Sequence, residues 1–175
     1  RAFALQPAHV SHYQLTLEPN TVFYRQRPVL PDDDVLADIQ DAGQAVLAEA
    51  GYAQYEVSAY ARADRRCRHN LNYWRFGDYI GIGAGAHGKL PSPGRPGDPG
   101  LRILRTSKTR TPNDYLAAAM AVRDGAAQAA GRGDAFRAQA APVAEGELPF
   151  EFMLNVLRLT EGVPAVSWRQ LTGRD

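Results

Sequence analysis

Three stretches between residues 9 and 60 decide the fold: HVSHYQLTL (residues 9–17), DDDVLADIQDAGQAVLAEAG (32–51) and YAQYEVSAY (52–60). The first and third alternate between the two faces of a strand. The second opens with three aspartates, continues with apolar residues at helical spacing and closes on Gly51, which predicts a capped helix. Strand, helix and strand in this order predict a βαβ unit, and therefore an α/β fold with a parallel sheet.

The polar side chains of these strands have two interpretations. In α/β barrels, polar groups at the carboxyl ends of the strands face the active site. On that interpretation, six polar side chains would point toward one shared cavity: His12, Gln14, Thr16, Glu18, Glu56 and Ser58. The alternative is a sheet edge that faces solvent, and alternation alone does not separate the two.

The remaining elements are shorter. The pattern predicts strands over 78–82 and 101–109, a helix that Asn113 caps, and a helix over 150–161 between Pro149 and Gly162. Two other segments predict irregular structure. Residues 90–100 are too rich in proline and glycine for a helix or central strand, and residues 131–146 are small and polar, which indicates a linker.

Composition limits the class of protein. Of the 175 residues, 45% are hydrophobic and 22% are charged, which suits a folded core. The net charge of +1 gives no attraction to nucleic acid, and no apolar run reaches the ~20 residues of a transmembrane helix. A single cysteine fits the reducing cytoplasm and cannot by itself hold an iron–sulfur cluster. We expect a cytoplasmic protein that binds no nucleic acid, and, from its abrupt ends, a fragment.

The segment CRHNLNYWRFGDYIGIGAGAHG (residues 67–88) is the candidate ligand site. It contains the only cysteine, two of the four histidines, one of the two tryptophans and several glycines, which let a backbone approach a ligand closely. Residues 83–88 fit the dinucleotide pattern GxGxxG, but the sequence that follows, KLPSPG (89–94), cannot start the helix that would hold a pyrophosphate. The dinucleotide interpretation therefore fails in this context.

The histidine and aromatic residues before the glycines have a functional and a structural interpretation. His69, Tyr73 and Trp74 lie between Arg68 and Arg75, a set that would suit a flat anionic ligand bound in an exposed loop. The alternative is a loop whose aromatic residues close the edge of a sheet, with the histidine hydrogen-bonded in place. No arrangement for nucleophilic hydrolysis is legible.

Five segments together resemble the HemW family: residues 9–21, 54–58, 67–74, 78–88 and 147–164. These are radical S-adenosylmethionine proteins related to oxygen-independent coproporphyrinogen III oxidase. The resemblance implies the C-terminal portion of a partial (β/α)₆ TIM-like barrel followed by a helical region. The expected domains are residues 1–112, which carry the Gly-rich loop, and residues 113–175, the helical region, truncated at its end.

The resemblance also implies a function and its residues. It implies a chaperone that binds haem and delivers it to acceptor proteins. The family's His-Asn-x-x-Tyr-Trp motif implies a haem-binding set, with the first residue as the iron ligand: His69, Asn70, Tyr73 and Trp74. By similarity to the oxidase, a second set would lie beside S-adenosylmethionine: Gln14, Gly83, Gly85, Ala86 and His87.

One departure from the family limits what this chain can do. The family's CxxxCxxC motif, which holds a [4Fe–4S] cluster, is absent, so radical chemistry by this chain alone is not expected. An open half-barrel would expose strand edges, which the rest of a barrel or a second copy in a homodimer would cover. Two alternatives to the chaperone remain: a fragment of a true coproporphyrinogen oxidase, and a structural half-barrel with no ligand of its own.

Overall fold

The computed structural model describes residues 2–92, 102–125 and 135–175. The chain mixes helices and strands and forms two small sheets, which confirms the α/β class. The chain forms two compact units, one of Arg1–Leu71 with Arg158–Gly162, the other of Asn72–Leu157 with Val163–Asp175. The domain boundary between residues 112 and 113 concerns the barrel of a longer protein and stays a prediction.

The described part of the first unit contains a three-stranded sheet, a 3₁₀ helix (Ala2–Leu5), two α-helices and the start of a third. Its strands are β1 (His9–Ser11), β2 (Ala53–Glu56) and β3 (Ala59–Ala61), in the order β1-β3-β2 with antiparallel pairing. Its helices are α1 (Val22–Arg25), α2 (Asp33–Glu49) and the start of α3 (Arg68–Trp74), a helix that crosses from the first unit into the second.

The predicted parallel pairing is wrong for this unit, although β1 and β2 do run in the same direction. β3 lies between them and is antiparallel to both, because the segment predicted as one strand over 52–60 is a hairpin. Side chains of β2 hold its turn: the Gln54 amide donates to the Val57 carbonyl (3.2 Å), and the Glu56 carboxylate accepts from the Ser58 N–H (3.3 Å). These polar side chains therefore stabilise a turn rather than extend a strand.

The predicted helix at residues 32–51 is confirmed as α2. The Asp32 carboxylate caps it by accepting from the Val35 N–H (2.9 Å), and Gly51 follows its end with φ of +81°. Leu47 from this helix is buried against Tyr52 and Tyr60 of the hairpin. This contact packs the helix onto the sheet.

The predicted strand over residues 9–17 ends early, at Ser11. The His12 N–H still donates to the Ser58 carbonyl (2.9 Å), but no strand of the described chain pairs with residues 13–17, and a strand without a partner leaves its backbone groups to solvent. The apolar side chains of this stretch are accordingly exposed, Tyr13 by 65% and Leu15 by 51%. We expect other parts of a longer protein to cover these side chains.

The second unit contains another antiparallel sheet. Its strands are β4 (His87–Ser92), β5 (Arg102–Lys108) and β6 (Arg137–Pro142), in that order. Its further helices are α4 (Pro112–Arg123), α5 (Leu148–Val156) and α6 (Val166–Thr172). The core joins sheet and helices and comprises Phe76, Ile103, Leu148, Phe152 and Val156.

Several predictions for this unit need correction. Residues 78–82 form one isolated bridge, Tyr79 to Lys89, rather than a strand. The strand predicted over 101–109 is confirmed as β5. The segment predicted as a linker includes β6, because this stretch finds a partner in β5. Residues 131–134 of that predicted linker and residues 93–100 of the proline- and glycine-rich segment lie outside the described residues.

Two helix boundaries also differ from the prediction. Thr111 rather than Asn113 caps α4, since its hydroxyl accepts from the Asp114 N–H (3.2 Å). Helix α5 ends at Val156 rather than residue 161. Residues 158–162 return to the first unit, where the Arg158 carbonyl accepts from the Val57 N–H (3.0 Å).

Candidate functional site

The residues predicted to bind haem lie on α3, so the predicted exposed loop is wrong. The helix starts as the Leu71 N–H bonds to the Cys67 carbonyl (3.0 Å). Helical spacing places His69 and Tyr73 one turn apart on the same face, and Asn70 and Trp74 one turn apart beside them. The motif is therefore a surface of one short helix.

His69 and Asn70 differ in what surrounds them. The His69 side chain is exposed, whereas Asn70 is half-buried, and its side chain hydrogen-bonds to the Tyr55 hydroxyl. The exposed imidazole is the one suited to meet a ligand from solvent. Asn70 instead holds the start of α3 against β2.

The Tyr55 hydroxyl is the centre of a buried hydrogen-bond network in the first unit. Tyr55 is 1% exposed, and its hydroxyl also bonds to His9 Nε2 (2.8 Å) and accepts from the Cys67 N–H (3.3 Å). Burial raises the pKa of this hydroxyl above its usual 10.0, while the bond from Cys67 opposes the rise. The sequence did not reveal this role, because Tyr55 meets these partners only in the folded chain.

The aromatic residues of the motif form a cluster within the second unit. The Tyr73 ring lies 4.3 Å from the Tyr79 ring and 6.4 Å from the Trp74 ring, between centroids. The Tyr79 hydroxyl accepts from Arg105 Nη1 (2.8 Å). Such rings offer flat surfaces against which a planar ligand can stack.

Lys89 supports this cluster from the interior. Its ammonium is buried, donates to the Phe76 carbonyl (2.7 Å) and pairs with Asp78 Oδ1 (3.3 Å). Burial lowers the pKa of Lys89, which Asp78 partly offsets. The backbones of Lys89 and Tyr79 also exchange two hydrogen bonds, each 2.9 Å long. Lys89 therefore fixes the chain between α3 and the Gly-rich loop.

The Gly-rich loop of residues 83–86 is fastened to the rest of the second unit by its own amides. The Gly83 N–H donates to the Tyr115 hydroxyl (3.2 Å), and the Gly85 N–H to the Thr109 carbonyl (2.7 Å). The Ala86 N–H donates to the Gly83 carbonyl (3.2 Å). These donors are occupied, so a ligand here would meet the exposed His87 side chain and carbonyl oxygens rather than an amide cradle.

Gly81 precedes the loop at a point where two backbones nearly touch. A Cβ on this residue would lie 2.3 Å from the His87 carbonyl oxygen, closer than real contacts allow. We expect Gly81→Ala to lower the free energy of unfolding by about 2 kcal/mol, since backbone would have to move. Urea unfolding measures this change in the free energy of unfolding. Gly146→Ala is the matched control, because a Cβ on Gly146 meets nothing within 4 Å. Equal stability of both variants would contradict the close approach.

Gln14 lies in the first unit and the Gly-rich loop in the second. Its exposed amide donates to the Leu36 carbonyl at the start of α2 (3.3 Å). The predicted grouping of Gln14 with the loop residues around S-adenosylmethionine therefore stays a prediction.

Across residues 2–92, 102–125 and 135–175, no three His, Cys, Asp or Glu side chains are grouped as metal ligands. Within the same ranges, no helix is both long enough and apolar enough to span a membrane.

Known proteins resemble this sequence along nearly its whole length. The heme chaperone HemW of Escherichia coli is 47% identical over 173 residues, 99% of this chain and 40% of the relative. The protein of the same name from Haemophilus influenzae is 47% identical over 99% of this chain and 39% of its own length. A mitochondrial radical S-adenosyl methionine domain-containing protein 1 of Bos taurus is 36% identical over 93% of this chain and 34% of the relative.

Comparisons with family models and with solved structures found no match. No family model matches the chain. No solved structure matches it. The chain spans about 40% of the length of the first two relatives.

Proposed function

This chain belongs to the HemW family, and we propose that it is the haem-holding part of a chaperone that delivers haem to acceptor proteins. The observation that supports this most directly is the composition of α3. It presents an exposed imidazole, His69, on the same face as an aromatic side chain, Tyr73, whose ring packs on Tyr79. Histidine is a common axial ligand of haem iron, and aromatic rings suit a porphyrin face.

The proposal gives the four residues of the motif two different roles. His69 meets the haem iron, and Tyr73 and Trp74 provide aromatic surface next to it. Asn70 positions the helix through the Tyr55 hydroxyl and does not contact haem.

S-adenosylmethionine and a [4Fe–4S] cluster belong to the longer protein in this proposal. Gln14, Gly83, Gly85, Ala86 and His87 stay proposed for S-adenosylmethionine, with His87 the exposed side chain of the loop set. With one cysteine, this chain would need thiolates from elsewhere to hold a cluster. A cytoplasmic setting, which the single cysteine favours, is part of the same proposal.

Haem transfer distinguishes the chaperone from the two alternatives. We expect the chain loaded with haemin to pass it to apomyoglobin, whose absorption spectrum reports the transfer. A longer protein that decarboxylates coproporphyrinogen and retains no haem would support the oxidase instead. A folded chain that binds no haemin would support a structural role.

A further inference from the structure

A surface cavity of about 660 Å³ opens in the first unit, on the side of β2 and β3 where the chain leads into α3. Its walls include the small side chains of Ala53 and Ala61 together with Leu71, and its charged lining includes Arg62 and Arg66. Its volume is in the range of small-molecule sites, which combine apolar walls with a few placed polar groups.

The guanidinium of Arg62 is held in place but is not neutralised. It lies 5.2 Å from the centre of the Tyr52 ring, a cation–π contact, and its backbone N–H donates to the Ala8 carbonyl (3.1 Å). In the part of the chain that the structure describes, no carboxylate forms an ion pair with Arg62. Arg62 is therefore a cation in the cavity wall, with five N–H donors and no carboxylate ion-paired to it among the described residues.

Arg66, by contrast, is committed to Glu161. The two form a two-point ion pair, with Nη1 2.8 Å from Oε2 and Nη2 2.5 Å from Oε1, which raises the pKa of Arg66. Asp64 also lines the cavity and acts on Arg66 through its charge. Residues 62–68 nevertheless contain four arginines and one aspartate, so the entrance to α3 is positively charged.

The cavity adjoins the start of α3 through Tyr55. The Arg66 guanidinium lies 5.9 Å from the centre of the Tyr55 ring, and the hydroxyl of the same residue bonds to Asn70, the neighbour of His69. Leu71 of α3 also lines the cavity, so the cavity reaches the helix that carries His69.

We propose that this cavity is a carboxylate site, with Arg62 as its main donor, that receives the propionate groups of the haem held at α3. The inference rests on the proposed function and adds to it the residue that recognises the anionic edge of the porphyrin. An arginine guanidinium presents two parallel N–H donors, which match the two oxygens of a carboxylate.

Titration with haemin and with haemin dimethyl ester tests the site, because the ester lacks free carboxylates. We expect the wild-type chain to bind haemin about tenfold more tightly than the ester, and Arg62→Gln to weaken haemin binding about tenfold while leaving the ester unchanged. Arg123→Gln, at the exposed end of α4, is the matched control and should bind both as the wild type does.

Glu161→Gln gives an independent variant in which the affinity should rise. Removing this carboxylate charge releases the Arg66 fork toward the cavity, so we expect haemin to bind roughly threefold more tightly. The Arg66–Glu161 pair is exposed, with side chains 38% and 65% accessible, and its loss should leave the fold intact. Unchanged or weaker haemin binding in a folded variant would contradict the site.

The outcomes separate this inference from the proposed function. If the wild-type chain binds haemin and its ester equally, or Arg62→Gln weakens both equally, the carboxylate site is wrong and the haem site stands. If Arg62→Gln weakens binding of S-adenosylhomocysteine alone, the carboxylate belongs to a different ligand and the inference also fails. If the wild type binds neither haemin nor ester, the proposed function fails with it.

Discussion

Replacing His69 by alanine is expected to weaken haemin binding by about 100-fold. Loss of a group that merely orients a metal ligand costs 10- to 100-fold, so loss of the ligand itself should reach at least the upper limit. Because His69 is exposed, we expect His69→Ala to change the free energy of unfolding by no more than ~0.5 kcal/mol. Soret titration of the variant measures the affinity.

The control for this variant is His9→Gln rather than an alanine at the same position. His9 Nε2 bonds to the Tyr55 hydroxyl, and a glutamine amide can keep that bond while removing an imidazole from the chain. We expect this control to bind haemin as the wild type does. Equal losses in the two variants would show that neither histidine is the specific ligand.

Replacing Tyr55 by phenylalanine is expected to destabilise the first unit by about 3 kcal/mol. The change removes three hydrogen bonds, to His9, Cys67 and Asn70, each worth about 1 kcal/mol, and leaves polar groups without the hydroxyl. Since Asn70 then no longer holds the start of α3, haemin binding should also weaken. Urea unfolding followed by circular dichroism gives the stability difference.

The pH dependence of the stability difference between the wild type and Tyr55→Phe tests whether the Tyr55 hydroxyl is the stabilising group. The folded state raises the Tyr55 pKa above 10.0, so the stability that this group contributes is complete below pH 10.0 and is lost as pH rises through the folded pKa. The wild-type advantage over Tyr55→Phe should therefore shrink above pH 10.0. A stability difference that stays constant across that range would contradict the buried network. Tyr52→Phe serves as a control with one hydroxyl bond, to the Pro7 carbonyl.

The sequence predicted the elements whose signals are local. Helix α2 follows from the Asp32 cap, its apolar spacing and Gly51, and strand β5 follows from its own composition. The family was also legible from the sequence, because its motifs are contiguous runs of residues, and the comparisons confirm it.

Features that depend on distant contacts were not predicted. The alternating residues 52–60 do not reveal that this segment is a hairpin, whose turn the side chains of Gln54 and Glu56 stabilise by hydrogen bonds. Neither the burial of Lys89 nor the bond from Asn70 to Tyr55 leaves a local pattern, since each depends on elements brought together by folding. The four motif residues lie together on α3, and their assignment to haem stays a prediction.

A haemin titration of this chain, followed at the Soret band with its folding verified by circular dichroism, tests whether α3 holds haem. We expect a saturable shift with one haem per chain, and the loss of that shift in His69→Ala. A folded chain with no saturable shift would contradict the assignment of the haem site to α3.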